Sequence, residues 1–358
     1  MKILVIRFSS IGDIVLTTPV IRCLKKQIHD VELHTLVKKK FASLYKTNPY
    51  VDKVFEYDSS LKDVVNELKQ ECYDVIIDLQ KNKRSLRVTH SLKRPHYSFP
   101  KLNLRKLLLT TFKINVMPDI HIVDRYFMAV EKLNVINDYQ GLDFFISDEN
   151  NYPISTLPDN FQDGYYAFVI GGTYKTKILP AEKIVEIIRR INKPVVLLGG
   201  PDDVERAEEI LSSVSGQQSA NSYCSQHHNP SSQVQKDSQI QKDSQIQKDS
   251  QILNLVGKIN LEQSASLVKN ADSVLTNDTG LMHIAAAFHK NIVSVWGNTV
   301  PELGMYPYLP EEPEKCHIVE CKNVRCRPCS KLGFKECPKS HFRCMKEIDI
   351  DSIINNLI

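Results

Sequence analysis

Residues 1–19 read MKILVIRFSSIGDIVLTTP. The run MKILVI is short, continuous and apolar, and the polar turn RFSSIGD follows it, so it reads as a strand covered on both faces. From Asp13 the period changes. Ile14, Thr17, Thr18, Ile21 and Leu24 recur at helical spacing through DIVLTTPVIRCLKKQ, residues 13–27. A buried strand leading within a few residues into a helix opens a βαβ unit, whose next strand must lie parallel to the first. The turn also poses a chemical question. Gly12 permits a tight bend, and the first N–H groups of a helix attract anions, yet the carboxylate Asp13 stands there. Two roles suit it: a cap on the helix, or a general base at a cleft wall.

The alternation continues along the chain. VELHTLV (31–37), VDKVFEY (51–57) and YDVIIDLQ (73–80) read as strands, and SLKDVVNELKQ (60–70) as a helix capped by Ser59 or Ser60. A second series starts at YYAFVIGGT (165–173). It runs through PAEKIVEIIRRI (180–191), PVVLLGG (194–200), PDDVERAEEILSSV (201–214), ADSVLTND (271–278), TGLMHIAAAFH (279–289) and NIVSVWGN (291–298). Residues 147–164 are polar, contain two prolines and read as a linker. The expected fold class is α/β, with two doubly wound, Rossmann-like domains facing a central cleft: residues 1–155, residues 156–345, and a C-terminal helix over 346–358. Residues 235–252 repeat QKDSQI three times. One apolar residue per six cannot offset chain entropy, so residues 215–252 are expected to be a disordered low-complexity insertion without a part in chemistry.

Composition, with 42% hydrophobic and 25% charged residues over 358 positions, is that of a globular protein. No apolar run approaches the ~20 residues that span a bilayer, and the N-terminal run is short for a signal peptide, so a cytoplasmic location is expected. Nine cysteines then read as reduced thiols or metal ligands. The net charge of +4 is uneven: residues 1–120 hold 22 Lys and Arg against 12 Asp and Glu. That excess suits an anionic partner or membrane surface, and equally a solvated basic face.

Three loops would meet at the cleft, because ligands of open α/β sheets bind beyond the carboxyl ends of the strands. The first is SSIGDIV; without G-x-G-x-x-G it disfavours a dinucleotide site. GGTYKTKILP (171–180) is the second. Gly171 and Gly172 admit a ligand close to the backbone, Thr173 offers a hydroxyl, and Lys175 and Lys177 offer charge, a set suited to a diphosphate. The third, TNDTGLMHIAAAFH (276–289), ends a strand at Asp278 and starts a helix at Thr279 and Gly280, with His283 one turn on. Phosphate and acid would thus sit on opposite walls of one cleft. QKNKRSLR (80–87) opens from a further strand end. Its Lys81, Lys83, Arg84 and Arg87 suit carboxylates or phosphates of an anionic acceptor.

Together IRFSSIGDIVLTTP (6–19), GGTYKTKILP and NDTGLMHIAAAFHKNIVSVWGNTVPE (277–302) resemble glycosyltransferase family 9, the lipopolysaccharide heptosyltransferases. The resemblance implies the GT-B fold, with an N-terminal acceptor domain and a C-terminal nucleotide-sugar domain. It also implies transfer of heptose from an ADP-activated donor to the lipopolysaccharide inner core, with inversion. Asp13 matches the family's general base, with Gly12 beside it on the acceptor side, and Lys177 matches the lysine that offsets charge on departing ADP. Thr173 matches a phosphate-contacting Thr, although Gly172 replaces a hydroxyl common before it. Asp278, Thr279 and Gly280 match the donor-site signature, and His283 stands next to the donor. Asp202 falls where an acid contacts ribose, with Asp203 as its rival. The implied partners are an ADP-sugar donor, an anionic lipid-linked saccharide acceptor and the inner-membrane surface, which the protein would meet peripherally from the cytoplasm; nucleic acid is not among them. Neither cofactor nor catalytic metal is implied, since cationic side chains and helix ends can carry the leaving charge.

Three other readings stay open: the same fold with a different donor or acceptor, a sugar-nucleotide binder without turnover, and a zinc-dependent nucleic-acid binder. The last would rest on ECKNVRCRPCSKLGFKECPKSHFRCM (320–345), where Cys326 and Cys329 form a C-x-x-C with Cys321, Cys337, Cys344 and His341 nearby. Cys321, Cys326, Cys329 and Cys337 suit a structural metal, but a second C-x-x-C is missing and buried thiols serve as well.

Overall fold

The structure, a computed structural model, describes residues 1–216 and 251–358. Of the expected insertion, residues 217–250 lie outside the described residues, while Ile252 already belongs to a strand. The first sheet consists of β1 (Lys2–Ile6), β2 (Glu32–Lys38), β3 (Lys53–Tyr57), β4 (Val75–Asp78) and β5 (His96–Ser98), in the order β3-β2-β1-β4-β5. The second holds β6 (Tyr166–Val169), β7 (Val195–Leu198), β8 (Ile252–Asn254), β9 (Ser273–Asn277), β10 (Asn291–Trp296) and β11 (Cys316–Glu320), in the order β11-β10-β9-β6-β7-β8. Every pairing in both sheets is parallel. These are the two doubly wound α/β domains the alternation predicts.

β1 shows why its sequence lacks polar alternation. Ile3 and Val5 enter one core and Leu4 and Ile6 the other, so both faces of the strand are buried under helices. The core containing Ile3 and Val5 continues into the second domain through Val274 and Ile284, so the two domains share one apolar interior. Strands β5, β8 and β11 are absent from the sequence reading. All three lie at sheet edges, where short, partly polar strands carry little periodic signal.

The first helix also departs from expectation, because residues 13–27 do not form one helix. Ile11–Val15 and Thr18–Gln27 are separate. Pro19 has no N–H to continue the ladder. The hydroxyls of Thr17 and Thr18 donate instead to the carbonyls of Ile14 and Val15, at 2.6 and 2.7 Å. Neither Ser59 nor Ser60 caps the helix Lys62–Gln70 as expected: Leu61 holds the cap position without a side-chain bond, and Ser60 Oγ accepts from Lys62 N–H at 3.2 Å from one residue earlier. The linker is docked rather than free: Ser147 donates through N–H and hydroxyl to Glu262, and Tyr152 N–H to Ser266. The terminal helix Ile350–Leu357 packs Ile350, Ile353, Ile354 and Leu357 into the second domain's core.

Two glycines bring the domains into contact. A Cβ on Gly12 would lie 2.6 Å from Cδ2 of His283, and one on Gly280 would lie 2.8 Å from Cγ2 of Ile11. Helices Ile11–Val15 and Gly280–Ala287 therefore approach through their glycines, one from each domain. Ile122 N–H donates to Gly304 O at 2.8 Å, and the Arg125 guanidinium to Leu303 O at 3.0 Å, adding a second seam. Overpacking of this kind costs about 1–3 kcal/mol. Gly12→Ala is therefore expected to destabilise the fold by about that amount in chemical denaturation, and an unchanged midpoint would mean that the helices are not held this close.

Candidate active site

The order β3-β2-β1-β4-β5 reverses direction at β1, and β11-β10-β9-β6-β7-β8 reverses between β9 and β6. Loops leaving neighbouring strands there part to opposite faces and open a crevice. The loops after β1 and β4 carry Ser9–Asp13 and Leu79–Asn82; those after β6 and β9 carry Ile170–Lys177 and Asp278–Gly280.

Asp13 occupies the third position of its helix. One carboxylate oxygen accepts from the N–H and the hydroxyl of Ser10, at 3.1 and 2.9 Å, so the capping role is real. The other oxygen pairs with the buried guanidinium of Arg7. Burial works against the carboxylate, but Arg7 and then the Ser10 hydrogen bonds outweigh it, holding the Asp13 carboxyl below its usual range. Arg7 was not singled out from the sequence. It is fixed by donation to Ser9 O at 3.0 Å, Leu79 O at 2.5 Å and Tyr126 OH at 3.0 Å. An arginine directly beyond a buried strand was the available signal.

On the facing domain, Lys177 Nζ donates to Asp278 at 2.5 Å, and Thr299 Oγ1 donates to the same oxygen at 2.9 Å. Asp278 thus holds the lysine. Thr173 and Lys175 are exposed on the loop before it. Gly172 lies against Ile178 and Thr279, which heads the helix Gly280–Ala287. Asn277 ties this loop down, accepting from Leu179 N–H and donating to Gly171 O. The two rival acids part company. Asp203 accepts from Gly200 N–H at 2.9 Å and crowds Gly171, whereas Asp202 is exposed.

His283 is buried between these groups, with Gly12 against its ring. Among the described residues its Nδ1 has no hydrogen-bond partner. Burial outweighs Asp278 and Asp13 and pushes its pKa down to about 4, so the ring is neutral at pH 7. The structure therefore brings Asp13, Lys177, Asp278, Thr279, Gly280 and His283 to one locus where the domains meet.

The basic loop divides. Lys81 is engaged, its N–H donating to Asp78 and its ammonium to Phe99 O at 2.8 Å. Lys83, Arg84 and Arg87 are exposed on the helix Lys83–Leu92, whose start Asn82 caps at the mouth of the crevice. Lys101 and Lys106, also missed, lie near enough to feel the charge of Asp13. Burial lowers both, Lys106 to about 8.

The cysteine segment lies under the second domain's loops. Arg327 fans into the carbonyls of Trp296, Thr299 and Cys321 and the carboxylate of Glu320. Cys326 Sγ is 3.7 Å from His341 Nε2. Among the described residues, the one trio whose ligand atoms lie within 4.8 Å of one another is Glu32, His34 and Glu71. Lys2 and Lys53 already neutralise that trio, at 2.8 and 2.5 Å from Glu71. Burial raises the Cys329 and Cys344 thiols to about 11 and 12, so they are protonated at neutral pH.

Two doubly wound parallel-sheet domains meeting at a crevice form the GT-B fold. The family model for glycosyltransferase family 9 (heptosyltransferase) matches residues 62–221 and 230–335, and the chain belongs to that family. It is 26% identical over 233 residues to lipopolysaccharide heptosyltransferase 1 of Campylobacter coli, covering 59% of this chain and 68% of that one. The Escherichia coli ADP-heptose lps heptosyltransferase II superposes with a TM-score of 0.66 at 19% identity, covering 100% and 97% of the two chains. The Escherichia coli heptosyltransferase WaaC with ADP gives 0.62 at 20% identity, covering 93% and 96%.

Two pH effects follow. With Arg7 in place, Asp13 ionises below the usual carboxylate range, and as a general base it would put the acid limb of kcat/KM below that range. Arg7→Met should move the limb to higher pH; an unmoved limb would separate Arg7 from the titrating group. His283 binds its proton near 4 when folded and near 6.5 when unfolded, so stability is full above about 6.5 and falls as pH drops toward 4. His283→Gln should flatten that fall by up to roughly 3 kcal/mol in denaturation measured across the interval.

Proposed function

We propose that this chain transfers heptose from ADP-heptose to an acceptor sugar of the lipopolysaccharide inner core, with inversion at the anomeric carbon. The observation that carries the reading is the ionised Asp13 at the domain contact, facing the Lys177–Asp278 pair and the start of the helix Gly280–Ala287. Asp13 takes the proton of an acceptor hydroxyl as that oxygen attacks the anomeric carbon. The bond from that carbon to the diphosphate breaks, and ADP leaves with the electron pair. Lys177 and the N–H groups at Thr279 and Gly280 meet the charge on the departing diphosphate. Thr173 and Lys175 extend the phosphate site, and exposed Asp202 suits the ribose hydroxyls. His283, neutral and with a free ring nitrogen among the described residues, stands beside the donor.

On the other wall, Gly12 lets the base loop close on the donor domain, and Lys83, Arg84 and Arg87 face an anionic acceptor. Lys81 supports that loop from within. Such an acceptor is lipid-linked, and the proposal has the enzyme meet it at the cytoplasmic face of the inner membrane. No helix of the described residues is long and apolar enough to cross a membrane, and peripheral association suits the basic first domain.

The test is ADP release from ADP-heptose, with and without a Kdo-bearing lipid A acceptor. Wild type should release ADP only when acceptor is present. Asp13→Asn should lose about 10²- to 10⁴-fold in rate while still binding ADP. Binding of ADP without release by the wild type would mean another donor sugar or acceptor. Absence of ADP binding would remove the nucleotide assignment.

A further inference from the structure

Residues 103–116 present a bare apolar surface beside a basic one. The chain is helical over Asn103–Phe112, the last turn widened to π geometry. Leu104, Leu107, Phe112 and Ile114 are 70, 52, 62 and 53% exposed within eleven residues of chain. Leu104, Leu107 and Leu108 fall at i, i+3 and i+4, so they share a helix face. The opposite face is anchored. Leu109 is buried with Val300 and Leu303 of the second domain, and Lys113 Nζ donates to Pro328 O at 2.6 Å. The outward face is therefore held in place rather than frayed.

Its charge says what covers it. From Leu79 to Pro118 the chain carries ten Lys and Arg and no Asp or Glu. Arg105 lies on the exposed helix itself, and Lys83, Arg84 and Arg87 lie exposed on the helix after β4. An apolar helix face inside an acid-free basic stretch fits the boundary of headgroups and acyl chains in an anionic bilayer. A protein partner would need a complementary acidic face. A second copy would bring like charges together, since the same stretch would face itself across a two-fold axis.

We propose that the helix Asn103–Phe112 and the following Ile114 are the membrane-docking element, seated in the surface of an anionic phospholipid bilayer. The proposal rests on the lipid-linked acceptor argued above and names the part of the chain that meets the lipid. Leu104 and Leu107 enter the headgroup boundary with Phe112 and Ile114, while the surrounding lysines and arginines face lipid phosphates.

The experiment is sedimentation of the full chain with vesicles of phosphatidylethanolamine and phosphatidylglycerol, against vesicles of phosphatidylcholine alone. Wild type should bind the anionic vesicles, more weakly as salt is raised, and leave the neutral ones. Leu104→Ser/Leu107→Ser/Phe112→Ser/Ile114→Ser should bind the anionic vesicles at least tenfold more weakly. Because these side chains are exposed, its melting temperature and its turnover of a deacylated, water-soluble acceptor should match wild type. Leu104→Ser alone should give a smaller loss in the same direction. Equal vesicle binding by wild type and the fourfold variant would overturn the proposal. So would light scattering that shows a wild-type dimer made monomeric by the variant with no change in vesicle binding. Vesicle binding that depends on these four residues, in a protein inactive on the soluble acceptor, would uphold the docking element and mean that the donor sugar or acceptor proposed above is wrong.

Discussion

The pairing of Arg7 with Asp13 is the constraint on which the site depends. Each group is a poor occupant of its place alone: Arg7 is a buried charge just beyond a central strand, and Asp13 is a carboxylate taken largely out of water. Together they neutralise one another. Losing one partner of such a pair costs about 3–5 kcal/mol, chiefly through the charge left behind. Arg7 also takes the carbonyl of Leu79, so the guanidinium that holds Asp13 ionised also joins the loops after β1 and β4. An ionised carboxylate with its pKa depressed is a weak base, but it is in the right protonation state throughout the neutral range. The arrangement favours readiness over basicity.

The second domain repeats this logic with the signs exchanged. Lys177 is the cation proposed to meet the diphosphate, and Asp278 holds it, steadied by Thr299. Thr299 is in turn fixed through its carbonyl by Arg327, which also gathers Trp296 and Cys321. The irregular cysteine segment thereby contributes to the phosphate side at one remove. Thr176 makes a parallel connection, exchanging hydrogen bonds with the backbone of Phe334 while Lys177 follows it in sequence. A diphosphate entering this site meets a lysine whose direction is already set, so less rotamer freedom is lost on binding.

Strands buried on both faces and helices with long periodic stripes were legible in the sequence, and so was the meeting of three loops at strand ends. The placement of Asp13, Lys177 and Asp278 at the crevice was legible because each stands just beyond a strand end of an α/β fold. What escaped was long-range. Arg7 acquires its meaning from Leu79 and Tyr126, 72 and 119 residues away, and no local pattern records that. The choice between Asp202 and Asp203 depended on which carboxylate Gly200 and Gly171 would turn inward. The break at Pro19 was misread because apolar spacing continued across it while the hydrogen-bond ladder did not. Edge strands β5, β8 and β11 gave too few residues to establish a period.

The basic excess of the first half acquires a direction from the fold. Its acid-free stretch begins at the carboxyl end of β4, in the crevice, and reaches the exposed helix Asn103–Phe112. Each Lys or Arg near an anionic membrane surface contributes about 1 kcal/mol, and that attraction fades beyond a Debye length of about 8 Å at physiological salt. Charge alone therefore gathers and orients the protein without fixing its depth. Apolar insertion alone has little preference between membranes. In the proposed docking the two combined would give an anchor that is selective and reversible, as peripheral proteins require. An acceptor whose lipid stays in the bilayer then has to lift its sugar only as far as the crevice. On that proposal the loop that carries Asp13, closed on His283 through Gly12, would receive the sugar there without the enzyme leaving the surface.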